Sequence, residues 1–331
     1  METRKIQTVG GGTYTISVPK AWASEQGFEA GETVRIYTHR DGSLIVRGRE
    51  ADAEILGPIR IPVEDRVTPS VERSIQATYE SGFERITLVA EEAFTDEQRR
   101  AARTFARQLI GTEAVETGRT EIVIRVLLDA SAVSIRQSID QAASIVASMQ
   151  RTVVEGLTGG ETAVATVRDR RSEVGRLVAL VRRHHTRSLV SFAELDALGI
   201  DRVPLSRYNR TADRIDRIAA ATVRLAEAVD DAQPAEDSGT ILAERTRTLR
   251  SELEEASNRV LERTNADSTL EAVTAGRGSA AIATLSDGET LSPSFLRIAD
   301  ILRCIDDHVR TIERIGMQSA VHRSTAPSVD L

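Results

Sequence analysis

Gly10-Gly11-Gly12-Thr13-Tyr14-Thr15-Ile16-Ser17-Val18-Pro19-Lys20 is the stretch around which the chain is organised. Tyr14, Ile16 and Val18 alternate with polar residues, which is the pattern of a half-buried strand. Pro19 ends that strand, because proline has no amide hydrogen to donate to a neighbouring strand. The three glycines lack the Gly-Lys-Ser/Thr ending of a phosphate-binding loop, so we interpret them as a flexible lead-in to the strand.

The residues that follow predict a short helix and then a hairpin. Gly27 is placed to end the helix, and Trp22 is placed to anchor it in a core. Asp41-Gly42 is a strong turn signal between two strands. In chain order, we predict a helix at 21–26, a turn at 30–32, and paired strands at 33–37 and 43–46.

This order resembles the AbrB/MazE/SpoVT family of swapped-hairpin DNA-binding domains. The residues that carry the resemblance are Val18-Pro19-Lys20, Trp22 to Gln26, Gly27 and Gly31-Glu32. It covers residues 2 to about 48, and it implies that two chains interleave as a homodimer. Fewer than fifty residues bury too little surface to be stable alone, which favours the same expectation.

The resemblance also implies that DNA is the partner of this segment. We expect contacts from Arg4, Lys5, Thr13, Thr15 and Lys20, the alternative for the cations being ordinary surface charge. Residues 1–49 contain seven Lys/Arg and five Asp/Glu residues, a net charge of +2, whereas the whole chain carries −7 and the remainder therefore −9. The only two lysines, Lys5 and Lys20, lie in this basic segment.

Whole-chain features limit the remaining functional classes. The one cysteine, Cys304, excludes an intramolecular disulfide. No apolar run approaches the roughly 20 residues of a membrane span, and the polar N-terminus does not resemble a signal peptide, so we expect a cytoplasmic protein without membrane insertion. We find no catalytic motif, and we predict that the protein is not an enzyme.

A small α/β module follows a connector at 51–58. Thr68-Pro69 is a typical helix start, and Thr95-Asp96-Glu97-Gln98 has the form of a capping box. The predicted elements are strands at 59–63 and 85–89, helices from Thr68 and over 95–109, and a hairpin of strands at 114–117 and 121–128.

From Ser131 onwards the apolar period changes to that of long helices. Three apolar stripes run over 135–153, 164–181 and 215–229. After a linker at 230–239, a second trio is predicted at 241–261, 270–285 and 295–315. Two trios in succession indicate a duplicated three-helix bundle.

The two trios also show a faint sequence repeat. Offset by 87 residues, Ile215, Ile218, Thr222 and Leu225 fall on Leu302, Ile305, Val309 and Ile312. At these residues the chain resembles the PhoU family of phosphate-uptake regulators, which are built from two three-helix repeats. In that family the third helix of each repeat carries a Glu-Arg-Ile-Ala-Asp-His-like run that can hold metal ions.

Each copy of this run is only half present in the chain. The first copy has Asp216 but alanines at 220 and 221, and the second has Asp307 and His308 but Arg303 in the leading position. If the two helices face each other, Asp216, Asp307 and His308 are the candidate ligands of a metal ion (Fe, Zn, Mn or Mg). The alternative is that these acids are solvated or paired with arginine, and no cofactor is otherwise expected.

Other groups of polar residues admit two interpretations. Asp300, Cys304 and His308 lie one turn apart and have the spacing of metal ligands, although a cysteine beside an apolar stripe is commonly a core residue. We interpret His184-His185 as surface or helix-end residues, and Asp169 and Glu173 as partners of neighbouring arginines within their helix.

We therefore predict a multidomain α+β protein with an N-terminal swapped-hairpin β domain, a small α/β module and a C-terminal all-α duplicated three-helix bundle. The predicted domains are 1–49, 50–130, 131–232 and 238–318, followed by a disordered tail at 319–331. The resemblances imply a DNA-binding regulator of phosphate uptake. The alternative is an accessory protein that binds a phosphate transporter or a sensor kinase and uses its N-terminal domain only to dimerise.

Overall fold

The computed structural model describes residues 3–10, 12–38, 42–47, 56–63, 68–116, 118–160, 163–262 and 292–325. The chain divides into two compact units, Met1–Ile55 and Leu56–Leu331. The division lies within the connector predicted at 51–58. The second unit contains both the α/β module and the helices.

The first unit is a small β domain with one short helix. It contains β1 (Gln7–Val9), β2 (Thr13–Thr15), α1 (Lys20–Glu25), β3 (Arg35–Thr38) and β4 (Leu44–Arg47). The strands form two separate antiparallel pairs, β1 with β2 and β3 with β4. β2 ends at Thr15, where its pairing with β1 ends, so the strand predicted through Val18 is shorter than its alternating pattern.

The α/β module closely follows the sequence prediction. It contains β5 (Pro58–Pro62), α2 (Thr68–Glu80), β6 (Arg85–Val89), α3 (Asp96–Gln108), β7 (Thr112–Glu116) and β8 (Glu121–Val126). The sheet order is β5-β6-β8-β7, and only β5 and β6 are parallel. The core of the module is formed largely by Tyr79, Ile86, Leu88, Ile122 and Ile124.

The capping box predicted at the start of α3 is confirmed. The Thr95 hydroxyl accepts a hydrogen bond from the Gln98 amide at 3.2 Å, and the Gln98 side chain accepts one from the Thr95 amide at 2.8 Å. Both bonds satisfy backbone donors that have no partner within the helix. This explains why the helix begins where the sequence predicts.

A short 3-10 helix (Ala130–Ala132) and six α-helices follow in the described chain. The α-helices are α4 (Ile135–Leu157), α5 (Val164–Val190), α6 (Phe192–Leu198), α7 (Arg202–Ala232), α8 (Glu236–Val260) and α9 (Pro293–Thr325). The sequence prediction missed α6, although Ser191 and Glu194 have capping-box spacing and the Ser191 hydroxyl accepts from the Glu194 amide. The helix predicted at 270–285 lies outside the described residues.

The long helices share one hydrophobic core. α4 packs against α5, α7 and α8, while α9 packs against α7 and α8. α4, α7, α9 and α8 thus form a closed ring of packed helices, and α5 packs against α4 and α7. The bounds of α7 and α8 also correct the linker predicted at 230–239. It is wrong at both ends, because α7 runs to Ala232 and α8 starts at Glu236.

The predicted disordered tail is also wrong in its first part. α9 continues to Thr325, and Ser319 and Ala320 on this last stretch are buried. Ser319 contacts Arg207 of α7 through a hydrogen bond of 2.8 Å. Packing against α7 therefore holds residues that the sequence pattern alone leaves unassigned.

Candidate nucleic-acid interface

All five side chains predicted to contact DNA lie on the surface of the first unit. Arg4 and Lys5 precede β1, and Lys20 is the first residue of α1. Thr13 and Thr15 belong to β2. Each of the five is exposed, so none is removed from contact with a ligand by the fold of a single chain.

The β1–β2 hairpin places the two threonines on one face. Its register pairs Gln7 with Thr15 and Val9 with Thr13, so these four residues share a face, because side chains alternate along a strand. The Thr15 hydroxyl donates to the Gln7 carbonyl at 3.4 Å. Gly10, between the two strands, has a positive φ of 51°, which a turn of this kind favours in glycine.

A glycine cap fixes the end of α1. The Phe28 amide donates to the Ala23 carbonyl at 2.8 Å and the Gly27 amide donates to the Ser24 carbonyl at 3.1 Å. With φ of 73° at Gly27, these bonds form a Schellman motif. The ring of Phe28 packs on Trp22 with centroids 5.3 Å apart. Trp22 therefore packs locally on Phe28, but it is only half-buried, so the structure does not place it in the core that was predicted.

The described residues of the first unit do not form a hydrophobic core. Among its described residues no side chain is classed as buried, and most of its large apolar side chains are exposed. The exposed fractions are 66% for Ile6, 56% for Val9, 76% for Tyr14, 52% for Ile16, 50% for Val18, 60% for Ile36 and 51% for Leu44. A stable domain needs buried apolar area, so this surface indicates that a second chain or another partner completes the fold.

The comparison with protein families agrees with this domain. The family described as "Antidote-toxin recognition MazE, bacterial antitoxin" matches residues 7–50. The match covers the β domain alone. Neither the curated proteins nor the solved structures include a match to the chain. The N-terminal domain is thus MazE/AbrB-like.

The predicted metal ligands do not form a metal site. Asp216 on α7 pairs with Arg171 at 2.7 Å and with Arg182 at 3.4 Å, both on α5. Asp307 is exposed on α9. Within the described residues, no three His, Cys, Asp or Glu side chains are grouped so that they could hold a metal ion. The arrangement corresponds to the alternative of arginine-paired and solvated acids.

The second candidate group of metal ligands, Asp300, Cys304 and His308, is only partly brought together. The Cys304 sulfur and the His308 Nε2 are 3.8 Å apart, but Asp300 pairs with Arg303 at 3.0 Å instead of joining them. Burial, together with the nearby charges of Arg214 and Arg217, lowers the pKa of His308. Both effects favour the neutral form of this imidazole.

The arginines beside Asp169 and Glu173 bind other helices. Arg168 pairs with Glu227 at 2.6 Å, and Arg171 pairs with Asp216. The intrahelical pairing predicted for these arginines is wrong, because packing of α5 against α7 brings interhelical acids within reach. Sequence spacing identifies neighbours on one helix only.

Sequence reasoning also missed a buried polar cluster where α5 meets the α/β module. His184 is buried, which corrects its predicted surface position, and its Nδ1 lies 2.5 Å from Glu194 of α6. Arg187 donates to the other oxygen of Glu194 at 2.9 Å. Burial opposes ionisation of Glu194, but the bonds from His184 and Arg187 outweigh it and hold the pKa of this carboxyl below its ordinary value.

Two arginines of this cluster cap the end of α2. Arg183 donates to the carbonyls of Tyr79 and Phe83 at 2.9 Å each, and Arg187 donates to the carbonyl of Gly82 at 2.8 Å. Carbonyls at a helix C-terminus lack partners within the helix and attract cations. Burial, with repulsion from Arg187, lowers the pKa of Arg183 to about 10, so this side chain remains charged at neutral pH. The cluster joins the module to the helices.

No helix in the described part of the chain is both long enough and apolar enough to cross a membrane.

Proposed function

We propose that the protein is a DNA-binding regulator in which two N-terminal domains pair and bind the duplex. The observation that carries the proposal is the match of residues 7–50 to the MazE family model. The resemblance to AbrB/MazE/SpoVT domains supplies the expectation of DNA binding. The lack of buried side chains in the described first unit supports pairing with a second chain.

Charge supports the choice of DNA as the partner. The first 49 residues carry +2 in a chain of −7, and Arg4, Lys5 and Lys20 are exposed. In a dimer each of these cations occurs twice, and paired cations suit the regularly spaced phosphates of a duplex. We assign phosphate contacts to the three cations and base or backbone contacts to Thr13 and Thr15.

A salt titration of DNA binding by the full chain tests this assignment. Binding to a labelled duplex should weaken as salt rises, with a linear log-log dependence. Lys20→Ala and Arg4→Ala should each reduce the slope by about 2, because a dimer loses two phosphate contacts. Arg297→Ala is the matched control, since Arg297 is an exposed arginine on α9. Its slope should equal that of the wild type.

The same titration identifies the main alternative. If binding shows no salt dependence, or if Lys20→Ala and Arg4→Ala have no effect, the N-terminal domain does not read DNA. The domain would then serve dimerisation or recognition of another protein, as in an accessory factor bound to a transporter or a sensor kinase. Its exposed apolar side chains favour this second candidate, because a protein partner would cover them.

The regulatory signal is the most specific part of the proposal. We propose phosphate status, on the support of the resemblance between the helical repeats and the PhoU family. The faint sequence repeat at an offset of 87 residues is the feature of the helices that supports this resemblance. If phosphate status acts through an added partner or metal ion, operator affinity should change when that component is supplied. If operator affinity is the same with and without that partner or metal ion, phosphate status is not the regulatory signal.

A further inference from the structure

One groove on the helical body combines an apolar floor with several arginines. It has a volume of about 760 Å³ and lies between the end of α5, the start of α7 and the end of α9. Leu189 on α5, Val203 on α7 and Val321 on α9 line it and are 71%, 48% and 47% exposed. Three helices thus direct apolar side chains into one concave surface, instead of burying them in the core.

Four arginines surround this floor. They are Arg202, Arg207 and Arg210 on α7 and Arg314 on α9. Arg207 is 7% exposed, and its Nη1 donates to the Ser319 hydroxyl at 2.8 Å. A guanidinium at the base of a groove needs such a hydrogen bond, because burying a charge without a partner costs free energy. Ser319 in turn donates to a carboxylate oxygen of Glu262 at 3.4 Å, so Arg207 forms part of the base of the groove, and the exposed Arg202, Arg210 and Arg314 supply its positive charge.

The charge of the groove is opposite to that of the chain. Although acids outnumber bases overall, the described residues that line the groove include no aspartate or glutamate. Arg210 donates to Gln318 at 3.1 Å, and the Arg202 guanidinium lies 4.3 Å from the centre of the Phe192 ring. In the described chain neither Arg202 nor Arg210 pairs with a carboxylate. Their charge remains available to an anion.

We infer that this groove binds a small organic anion with an apolar body and a carboxylate, phosphate or sulfonate head. Its volume lies within the range of small-molecule sites, which are mostly apolar with a few charged groups that orient the ligand. Arginine binds planar or tetrahedral oxyanions through two parallel donors. The inference concerns the helical body and does not depend on DNA binding by the first unit.

Two matched fluorescent probes test the inference on the full-length protein. 1-Anilinonaphthalene-8-sulfonate has an apolar body and an anionic head, and N-phenyl-1-naphthylamine is the same body without the head. We expect the sulfonate to bind more tightly than the uncharged probe. Inorganic sulfate alone should compete poorly, because it lacks the body that covers Leu189 and Val203.

Variants locate the binding in the groove. Arg210→Gln combined with Arg314→Gln should weaken sulfonate binding by about tenfold and leave the uncharged probe unaffected, since each exposed ion pair contributes a few-fold. Leu189→Gln should weaken both probes. The matched controls on α9, Arg297→Gln and Leu296→Gln, carry exposed side chains outside the groove and should leave both affinities unchanged. All of these positions are exposed, so the variants should fold.

Three results would overturn the inference. The first is that the double arginine variant binds the sulfonate probe as tightly as the wild type, or that the two control variants weaken sulfonate binding as much as the double variant does. Another is displacement of the probe by sulfate alone at similar concentration. The third is that the double arginine variant or Leu189→Gln changes self-association of the chain but not probe binding. The groove would then be an interface between copies of the chain.

Discussion

The N-terminal unit and the helical body differ in how they use apolar residues. In the first unit, Ile36 is 60% exposed and no described side chain is buried, whereas in the helices Ile215, Leu225, Ile305 and Ile312 are wholly buried in one core. Folding of the helical body can therefore be driven by contacts within one chain. The described residues of the first unit include comparable apolar side chains that stay exposed in a single chain, as expected if its stability depends on association.

The largest expected effect is the loss of stability when a buried isoleucine of the helical body is truncated, compared with an exposed isoleucine of the first unit. Ile215→Ala opens a cavity in the shared core and should lower the free energy of unfolding of the helical body by about 2–5 kcal/mol. Ile16→Ala, at a position 52% exposed in the single chain, should leave unfolding of the helices unchanged. Chemical denaturation followed by helical circular dichroism measures both. Equal losses would mean that the two units do not differ as described.

A second prediction concerns the boundary within the second unit. Arg183→Met leaves the carbonyls of Tyr79 and Phe83 without their donor and should cost about 1–3 kcal/mol. Amide hydrogen exchange near the end of α2 should accelerate more than exchange in α8. Arg303→Met, at an exposed arginine of α9, serves as the control. Uniform acceleration in α2 and α8 would argue against a local capping role.

A third prediction tests association of the first unit. Ile36→Asp places a charge on an apolar surface that a second chain should cover, and it should weaken the dimer at least about tenfold. Leu296→Asp, at a residue 53% exposed on α9, should not change association. Sedimentation equilibrium of the full chain distinguishes them. A dimer of unchanged affinity in Ile36→Asp would place the interface elsewhere.

The smallest expected effect is a pH dependence within the helical body. Burial and neighbouring arginines lower the pKa of His308 from its ordinary 6.5. The folded state thus binds fewer protons than the unfolded state, so stability is retained above pH 6.5 and declines as pH falls through the lowered pKa. His308→Gln should reduce the loss of Tm between about pH 7.5 and pH 5.5. An unchanged loss would exclude His308 as a source, and His185→Gln would then be measured in the same way, because burial also lowers the pKa of His185.

Local signals predicted much of the fold. The capping box at Thr95, the glycine after α1 and the strands of the α/β module depend on neighbouring residues, and the structure has each of them. The β3–β4 pair also forms, although part of its predicted turn, Asp41, lies outside the described residues. Short-range rules are sufficient where backbone groups find partners nearby.

Long-range packing accounts for most of the errors. Nothing in the His184-His185 spacing shows that α6 brings Glu194 against one of the two rings. The spacing of Asp216 and Asp307 likewise does not reveal that Arg171 and Arg182 reach Asp216 from α5. The sequence predicted a duplicated three-helix bundle but did not show that the described helices share one core, because period alone identifies an apolar face and not the helix that covers it.

The central claim is that the first fifty residues complete their fold by pairing with a second chain. Amide hydrogen exchange of the full-length protein, measured over a range of protein concentrations, tests it most directly. We predict that protection within residues 3–47 rises with concentration in step with dimer formation, while protection of α4, α7 and α8 stays constant. Strong protection of residues 3–47 at concentrations where the protein is monomeric would contradict the claim.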